Sequence, residues 1–159
     1  MSNFLGRDLE QAQRALRKQR IVSNQLRYSL IERTIESGVL QYCQANQITV
    51  IAFSPFATTY SAIGEHDPEG VLKQISAKSG KTEAQLALNW LIEKEGVLAV
   101  PKASTVDHVI EDWGASGWHL PEPDYKLLTD KMRYRRRGRL ELTARRLGRH
   151  LFQLCGHGL

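Results

Sequence analysis

The sequence predicts an α/β fold: parallel strands joined by crossover helices, followed by a basic C-terminal tail. Three observations carry this reading. Helix and strand patterns alternate in the order helix, strand, helix, strand, helices, strand, helix, as in a parallel sheet with crossovers. Ile48 to Phe53 is a nearly continuous apolar run, which suits a parallel strand buried on both faces. Two helix starts carry capping-box signatures, Asp8 with Gln11 and Thr82 with Gln85. Short connections place sequential strands side by side. Periodicity alone does not separate an open doubly wound sheet from a segment of a barrel.

The elements follow in order. Leu9, Ala12 and Leu16 recur at helical spacing, so 8–18 reads as an amphipathic helix. Ile21 to Ser23 is a short β-branched run and reads as a strand, with a loop through Tyr28 to Arg33. Val39, Leu40 and Cys43 share one face of a helix over 36–46. Ser54-Pro55 ends the strand at 48–53, because Pro cannot donate to a central ladder. The stretch 54–68 reads as loop. Helices follow over 69–79 and 82–94, separated by Gly80, the second apolar on several sides and therefore deeply buried. Val97 to Val100 is the next strand. Thr105 caps a helix over 105–115 whose Val106, Val109, Ile110 and Trp113 fall at i, i+3, i+4 and i+7. Pro121 and Pro123 break the chain before a short helix around 124–131.

The formal charge of +5 divides unevenly. Residues 132–159 hold eight arginines and one acid, Glu141, so the tail carries +7 and residues 1–131 carry −2. The body gives no electrostatic reason to expect nucleic acid, and an anionic partner would be a partner of the tail. In the tail Leu140, Ala144, Leu147, Leu151 and Leu154 recur at steps of four and three among the arginines. This basic amphipathic pattern suits a membrane surface, an acidic partner, or packing against the body. Gly138 and Gly148 weaken it as a helix. Cys43 and Cys155 form neither a disulfide framework nor a zinc spacing, and the five histidines show no metal pattern. With no apolar run of membrane-spanning length and no signal-peptide pattern, a cytoplasmic setting is the expectation.

Several motifs then stand in a fixed order. They are Ser2-Asn3-Phe4, then Ile21-Val22-Ser23-Asn24-Gln25-Leu26-Arg27-Tyr28-Ser29-Leu30, then Ile48-Thr49-Val50-Ile51-Ala52-Phe53-Ser54-Pro55. Thr82-Glu83-Ala84-Gln85-Leu86-Ala87-Leu88-Asn89-Trp90-Leu91 and Val100-Pro101-Lys102-Ala103-Ser104 complete the set. Together they resemble the aldo/keto reductase family, and all belong to the second half of its barrel. The resemblance implies the C-terminal half of a (β/α)8 TIM barrel over 1–131, with 132–159 as an Arg-rich tail. A complete barrel needs about 250 residues, and residues 1–131 leave room for roughly four β/α units. The implied family reaction is NAD(P)H-dependent reduction of aldehydes and ketones.

At a barrel's C-terminal strand ends, Lys102, Ser104 and the first amides of the following helix make a sensible phosphate cradle. On spacing alone the better reading of Lys102 is a solvated lysine before a capped helix. The resemblance assigns Ser2, Asn3 and Gln25 to the nicotinamide carboxamide and Phe53 to the nicotinamide ring. It assigns Ser54 and Phe56 to the pyrophosphate, and Lys102 and Ser104 to the adenosine phosphate. His108 falls where many members place an Arg against the 2′-phosphate, and Glu111 where an acid meets the adenine. Asp112 replaces a common adenine-binding Asn, and an ionised Asp only accepts hydrogen bonds. NADP (as NADPH) is the cofactor implied. Taken singly, each residue also has an ordinary reading: Phe53 as core, Gln25 as a loop amide, His108 and Glu111 as a surface pair.

The family's acid Tyr and its Lys, Asp and His come from the first half of the barrel, and Tyr28, Tyr42, Tyr60, Tyr125 and Tyr134 match none of those positions. No catalytic residue is therefore assigned. The sequence reading expects a truncated reductase holding the cofactor half. Two alternatives stand beside it. One is a split enzyme completed by a second half barrel, from a copy of itself or from a separate N-terminal half. The other is a non-enzymatic protein acting through the basic tail.

Overall fold

The computed structural model describes residues 1–57 and 61–138. Helix α1 (Gly6–Ala15) precedes strand β1 (Ser23–Arg27). A 3₁₀ turn (Thr34–Ser37) and α2 (Val39–Ala45) lead to β2 (Thr49–Phe53). Helices α3 (Ser61–Glu65), α4 (Val71–Ser79) and α5 (Glu83–Ile92) lead to β3 (Val97–Val100), and α6 (Val106–Trp113) and α7 (Glu122–Lys131) follow. The three strands pair in parallel in sequential order. The N-terminal segment extends the sheet beside β1. Ser2 makes a parallel bridge to Gln25, the Asn3 amide donates to the Gln25 carbonyl at 2.8 Å, and the Gln25 amide donates to the Met1 carbonyl at 2.9 Å.

The helices cover one face of this sheet. Asn24, Val50 and Ala52 are wholly buried and Leu26 is 4% exposed, and Leu26, Val50 and Ala52 join a cluster with Leu86, Trp90 and Leu91. The alternate residues face the other way. Register aligns Gln25 with Ile51 and Leu98, and Arg27 with Phe53 and Val100. On this second face Gln25 is exposed, Ile51 and Phe53 are half-buried, and Leu98 and Val100 are about half exposed. The apolar run at 48–53 is thus fully covered on one side only. α6 keeps its predicted apolar stripe, yet none of its residues is buried and Trp113 is 79% exposed.

The structure moves several boundaries. Asp8 is not the cap of α1 but sits in its first turn, accepting the Leu5 amide at 3.0 Å, and the helix ends at Ala15. β1 begins where the β-branched run ends: Ser23 to Arg27 is polar except at Leu26, and pairing with β2 makes it a strand. The helix expected over 36–46 is split by Gly38, whose φ of 142° separates the 3₁₀ turn from α2. The loop expected over 54–68 contains α3. At α4, Asp67 supplies the cap, accepting the amides of Val71 at 2.8 Å and Leu72 at 2.9 Å. α7 begins at Glu122, with Pro123 inside its first turn, where a missing N–H costs nothing. The Thr82–Gln85 capping box at α5 forms as expected, with bonds of 3.2 and 3.1 Å.

Trp90 ties the helices and the loop after β1 together. Its indole N–H donates to Thr129 Oγ1 at 2.9 Å, and its ring stacks on Tyr125 with centroids 6.1 Å apart. The Arg33 guanidinium lies 4.6 Å from the Trp90 ring and 4.3 Å from the Tyr134 ring. Its N–H groups donate to the carbonyls of Leu30, Thr129 and Leu128 at 2.8, 2.7 and 3.3 Å, closing the end of α7. Lys94 Nζ sits 4.2 Å over Trp90 and donates to Tyr125 Oη at 2.9 Å. The Tyr28 hydroxyl donates to Glu36 at 2.7 Å. Burial pushes the Lys94 ammonium below its ordinary pKa, with Glu36 opposing, and pushes the Tyr28 phenol far above its own.

Residues 133–137 dock on the same loop. The Arg135 amide donates to Ile31 at 2.8 Å, the Arg33 amide to Arg135 at 3.0 Å, and the Arg133 amide to His66 at 2.8 Å. Arg137 Nε meets Glu32 at 3.0 Å with both side chains largely buried. The start of the arginine run is therefore bound to the body. The amphipathic pattern from Leu140 onward and Cys155 lie outside the described residues. Arg33→Ala should cost about 2–4 kcal/mol in urea unfolding, because it strips three carbonyls of a donor and leaves a void between two rings. Arg33→Lys should cost less but remain destabilising, since an ammonium cannot reproduce the fork. A change near zero for Arg33→Ala would remove this cluster from the account of stability.

Candidate functional site

The C-terminal ends of β2 and β3 open into one cleft of about 540 Å³. From the chain after β2 come Ser54, Pro55, Phe56 and Ala57, from α5 comes Ala84, and from the chain after β3 come Lys102, Ser104, His108, Glu111 and Asp112. Parallel strands put their following loops at the same edge of the sheet, so residues far apart in sequence converge here. The loop Ser54–Ala57 turns sharply, with Ser54 at φ 51° and Ala57 at φ 62°. Non-glycine residues adopt this region at a cost and are held there by their surroundings. Here the Ala57 amide donates to the Ser54 carbonyl at 2.8 Å.

On the other wall, Thr105 caps α6 by accepting the His108 amide at 3.2 Å, and its carbonyl takes the Val109 amide. Among the described residues the Val106 and Asp107 amides have no partner, so they and the positive end of the helix dipole are available to an anion. Lys102 and Ser104 are exposed beside them. Glu111 and Asp112 are half-buried at the far end of the cleft. Burial raises the Asp112 carboxyl above its ordinary pKa, Glu111 adds to this, and His108 opposes it. The wall holding these residues is fixed through Gln85, whose side-chain amide donates to the Glu111 carbonyl at 3.1 Å. Gly114 permits that approach, because a Cβ there would collide with the Gln85 amide.

The remaining sequence-predicted residues sit elsewhere on the sheet. Ser2, Asn3 and Gln25 are brought together by the N-terminal bridge, and Asn3 Nδ2 donates to Ser2 Oγ at 3.1 Å. All three are exposed and none lines the cleft. Phe53 lies between the groups, half-buried at the end of β2. Ala57 and Ala84 line the cleft without having been expected there. Ala84, two residues after the Thr82 cap, was open to a reading from helix position, whereas Ala57 carries no sequence signal. Tyr28 and Tyr125 stand in the Trp90 cluster on the helix-covered side, away from the cleft. Among the described residues no group of three or more His, Cys, Asp or Glu is placed to hold a metal, and no helix is long and apolar enough to cross a membrane.

This donor set suits a phosphorylated nucleoside. One cation, a hydroxyl and two free amides meet an anion, and two carboxylates can accept from a base's amino group. Comparison with known proteins agrees with the fold. Residues 1–133 match the sequence profile of the aldo/keto reductase family. The chain is 37% identical over 87 residues to methylglyoxal reductase YeaE of Escherichia coli, covering 55% of this chain and 31% of the relative. It is 26% identical over 133 residues to the NADPH-dependent alpha-keto amide reductase of Saccharomyces cerevisiae, covering 82% and 42%. Among solved structures it superposes on the thermostable aldo-keto reductase Tm1743 with a TM-score of 0.72 at 34% identity, covering 80% of this chain and 46% of that one. An aldo-keto reductase from Klebsiella pneumoniae in complex with NADPH gives 0.70 at 28%, covering 86% and 48%. The chain thus spans less than half the length of these relatives, and its sequential parallel strands are part of their (β/α)8 barrel. It belongs to the aldo/keto reductase family.

Proposed function

We propose that this chain is the nicotinamide-dinucleotide-binding part of an NAD(P)H-dependent carbonyl reductase. The observation that carries this reading is the convergence of Ser54–Ala57 with Lys102, Ser104 and the start of α6 in one cleft. In this reading Lys102, Ser104 and the free amides of α6 hold the adenosine phosphate, with NADPH as the form taken. His108 lies toward the 2′-phosphate, and Glu111 and Asp112 toward the adenine. Ser54 and Phe56 lie along the pyrophosphate. Phe53 stacks on the nicotinamide, and Ser2, Asn3 and Gln25 hold its carboxamide. The dinucleotide supplies a hydride when bound. A carbonyl reduction also needs an acid beside the developing alkoxide. Tyr28 is not offered for that role: it is buried, bound to Glu36, and its pKa is displaced far upward by burial.

The acid Tyr and its Lys, Asp and His partners are therefore proposed to come from further strands of the barrel. Two features support such a complement. The open face of the sheet leaves Leu98 and Val100 exposed, and α6 turns Val106, Val109, Ile110 and Trp113 to solvent. Large exposed apolar patches mark interfaces. We take 1–131 as the reductase domain and 132–159 as a C-terminal extension whose first residues dock on it. A cytoplasmic setting accompanies this reading, and a membrane-surface role would fall to the extension alone.

Calorimetry with NADPH should show binding that Lys102→Ala weakens about tenfold, the loss of one charge-assisted phosphate contact. Binding unchanged by Lys102→Ala, or none at all, would remove the cleft assignment. Asp112→Asn should strengthen NADPH binding by a few-fold, because it removes a carboxylate from a site that must accept phosphate. A weaker Asn variant would mean that the carboxylate accepts a bond from the base. The purified chain should not turn over an aldehyde with NADPH. Turnover by this chain alone would place the acid within it.

A further inference from the structure

The cleft carries an electrostatic conflict with the anion assigned to it. Its donors are Lys102, Ser104 and the amides of the first turn of α6. Glu111 and Asp112 line the same cleft from the second turn of that helix, with Asp112 about 9 Å along the axis from Val106. Lys102 brings one positive charge and the two carboxylates bring two negative ones. With His108 neutral, the lining of a phosphate site is net anionic.

The surroundings do not relieve this. Among the described residues neither carboxylate accepts a hydrogen bond or forms an ion pair. The opposite wall, Ser54 to Ala57, is uncharged, and α5 contributes Ala84. Gln85 meets the Glu111 carbonyl as a neutral amide. Asp107 on α6 and Glu83 on the first turn of α5 are further acids and do not line the cleft. The charges acting on the Asp112 carboxyl are Glu111 beside it and His108 one turn before it. Partial burial already displaces that carboxyl upward, Glu111 adds to this, and His108 opposes it. An arriving phosphate brings more negative charge, which favours the neutral acid further. The same anion attracts a proton to an imidazole, and His108 supplies one at the cleft.

We propose that ligand binding in this cleft is coupled to proton uptake, with Asp112 as the main acceptor and His108 as the second, so that a phosphorylated ligand is held more tightly as the pH falls. The inference rests on the reading of the cleft as a phosphate site. A proton from solvent goes to a carboxylate oxygen of Asp112, which turns a group that repels phosphate into one with an O–H to donate. The carboxyl holds this proton more firmly in the complex than in the free chain. Affinity is therefore lowest at a pH above the carboxyl's ligand-bound pKa. It rises as the pH falls through that value and levels off below the ligand-free one.

The test is calorimetry of the full chain with NADP⁺, from about pH 8 to about pH 4.5. Affinity should rise about threefold or more across this range, and titrations in buffers of different ionisation heat should show net proton uptake at the acid end. The probe's own 2′-phosphate, held by a cation, gives up protons and so does not supply that uptake. Asp112→Asn should bind more tightly than wild type at the alkaline end and lose most of the rise. His108→Gln should remove only the smaller share nearer neutrality. NADP⁺ binding by wild type without proton uptake, or with an affinity that is flat or falls as the pH falls, would overturn the proposal without any variant. Equal pH slopes in wild type and a folded Asp112→Asn would overturn it as well. Each of these outcomes leaves the phosphate reading of the cleft standing, since NADP⁺ is still bound. No binding by the folded chain at any pH would overturn both.

Discussion

Trp90 and the Arg33 guanidinium beside it join the parts of this molecule that local sequence leaves independent. The indole is wholly buried between α5, α7 and the loop after β1. A cation packed on an aromatic face is worth most when desolvated, and Arg33 has a ring on either side. Its donors close the last turn of α7, where carbonyls have no helical partner. Its own backbone amide donates to the carbonyl of the arriving chain at Arg135. Lys94, Tyr125, Tyr28 and Glu36 complete a polar network at the same place. Networks of this kind specify one arrangement because any other leaves a buried charge without its partner.

That joint has consequences for the site. With α5 fixed through Trp90, its first turn brings Ala84 to the cleft, and Gln85 holds the Glu111 carbonyl. The helix-covered face of the sheet is then rigid, and the opposite face presents Gln25, Arg27, Phe53 and their neighbours. Structure and chemistry are divided by face. Aliphatic side chains and Asn24 serve the fold on one side, and the residues with a proposed ligand role occupy the other side and the strand ends. Asn24 belongs to the first group because its side chain spans the Phe4 backbone, donating to the carbonyl at 2.9 Å.

The legible parts were those with local causes. The Thr82–Gln85 capping box is a four-residue signal and formed as read. The Val97–Val100 strand and the apolar stripe of α6 also follow from short-range pattern. β1 was misplaced because Asn24, Gln25 and Arg27 look like loop residues until a partner strand pairs with them. The break at Gly38 and the capping role of Asp67 depended on how the chain turned around them. Lys102, Ser104, His108, Glu111 and Asp112 were found together because they lie within one strand end and helix. Ala57 was not, since its backbone conformation is a property of packing.

The sequence by itself determined the α/β alternation, most helix positions and the family motifs at the strand ends. These are set by side-chain periodicity and capping, which act over a few residues. Tertiary structure decided which face of each strand is covered and where β1 begins. It also decided that 133–137 dock on the loop after β1, and that one wall of the cleft comes from Ser54–Ala57 and the other from α6. Those outcomes depend on hydrogen bonds and burial between segments tens of residues apart. In a parallel sheet every such pairing is non-local, because a crossover must intervene before the next strand can form.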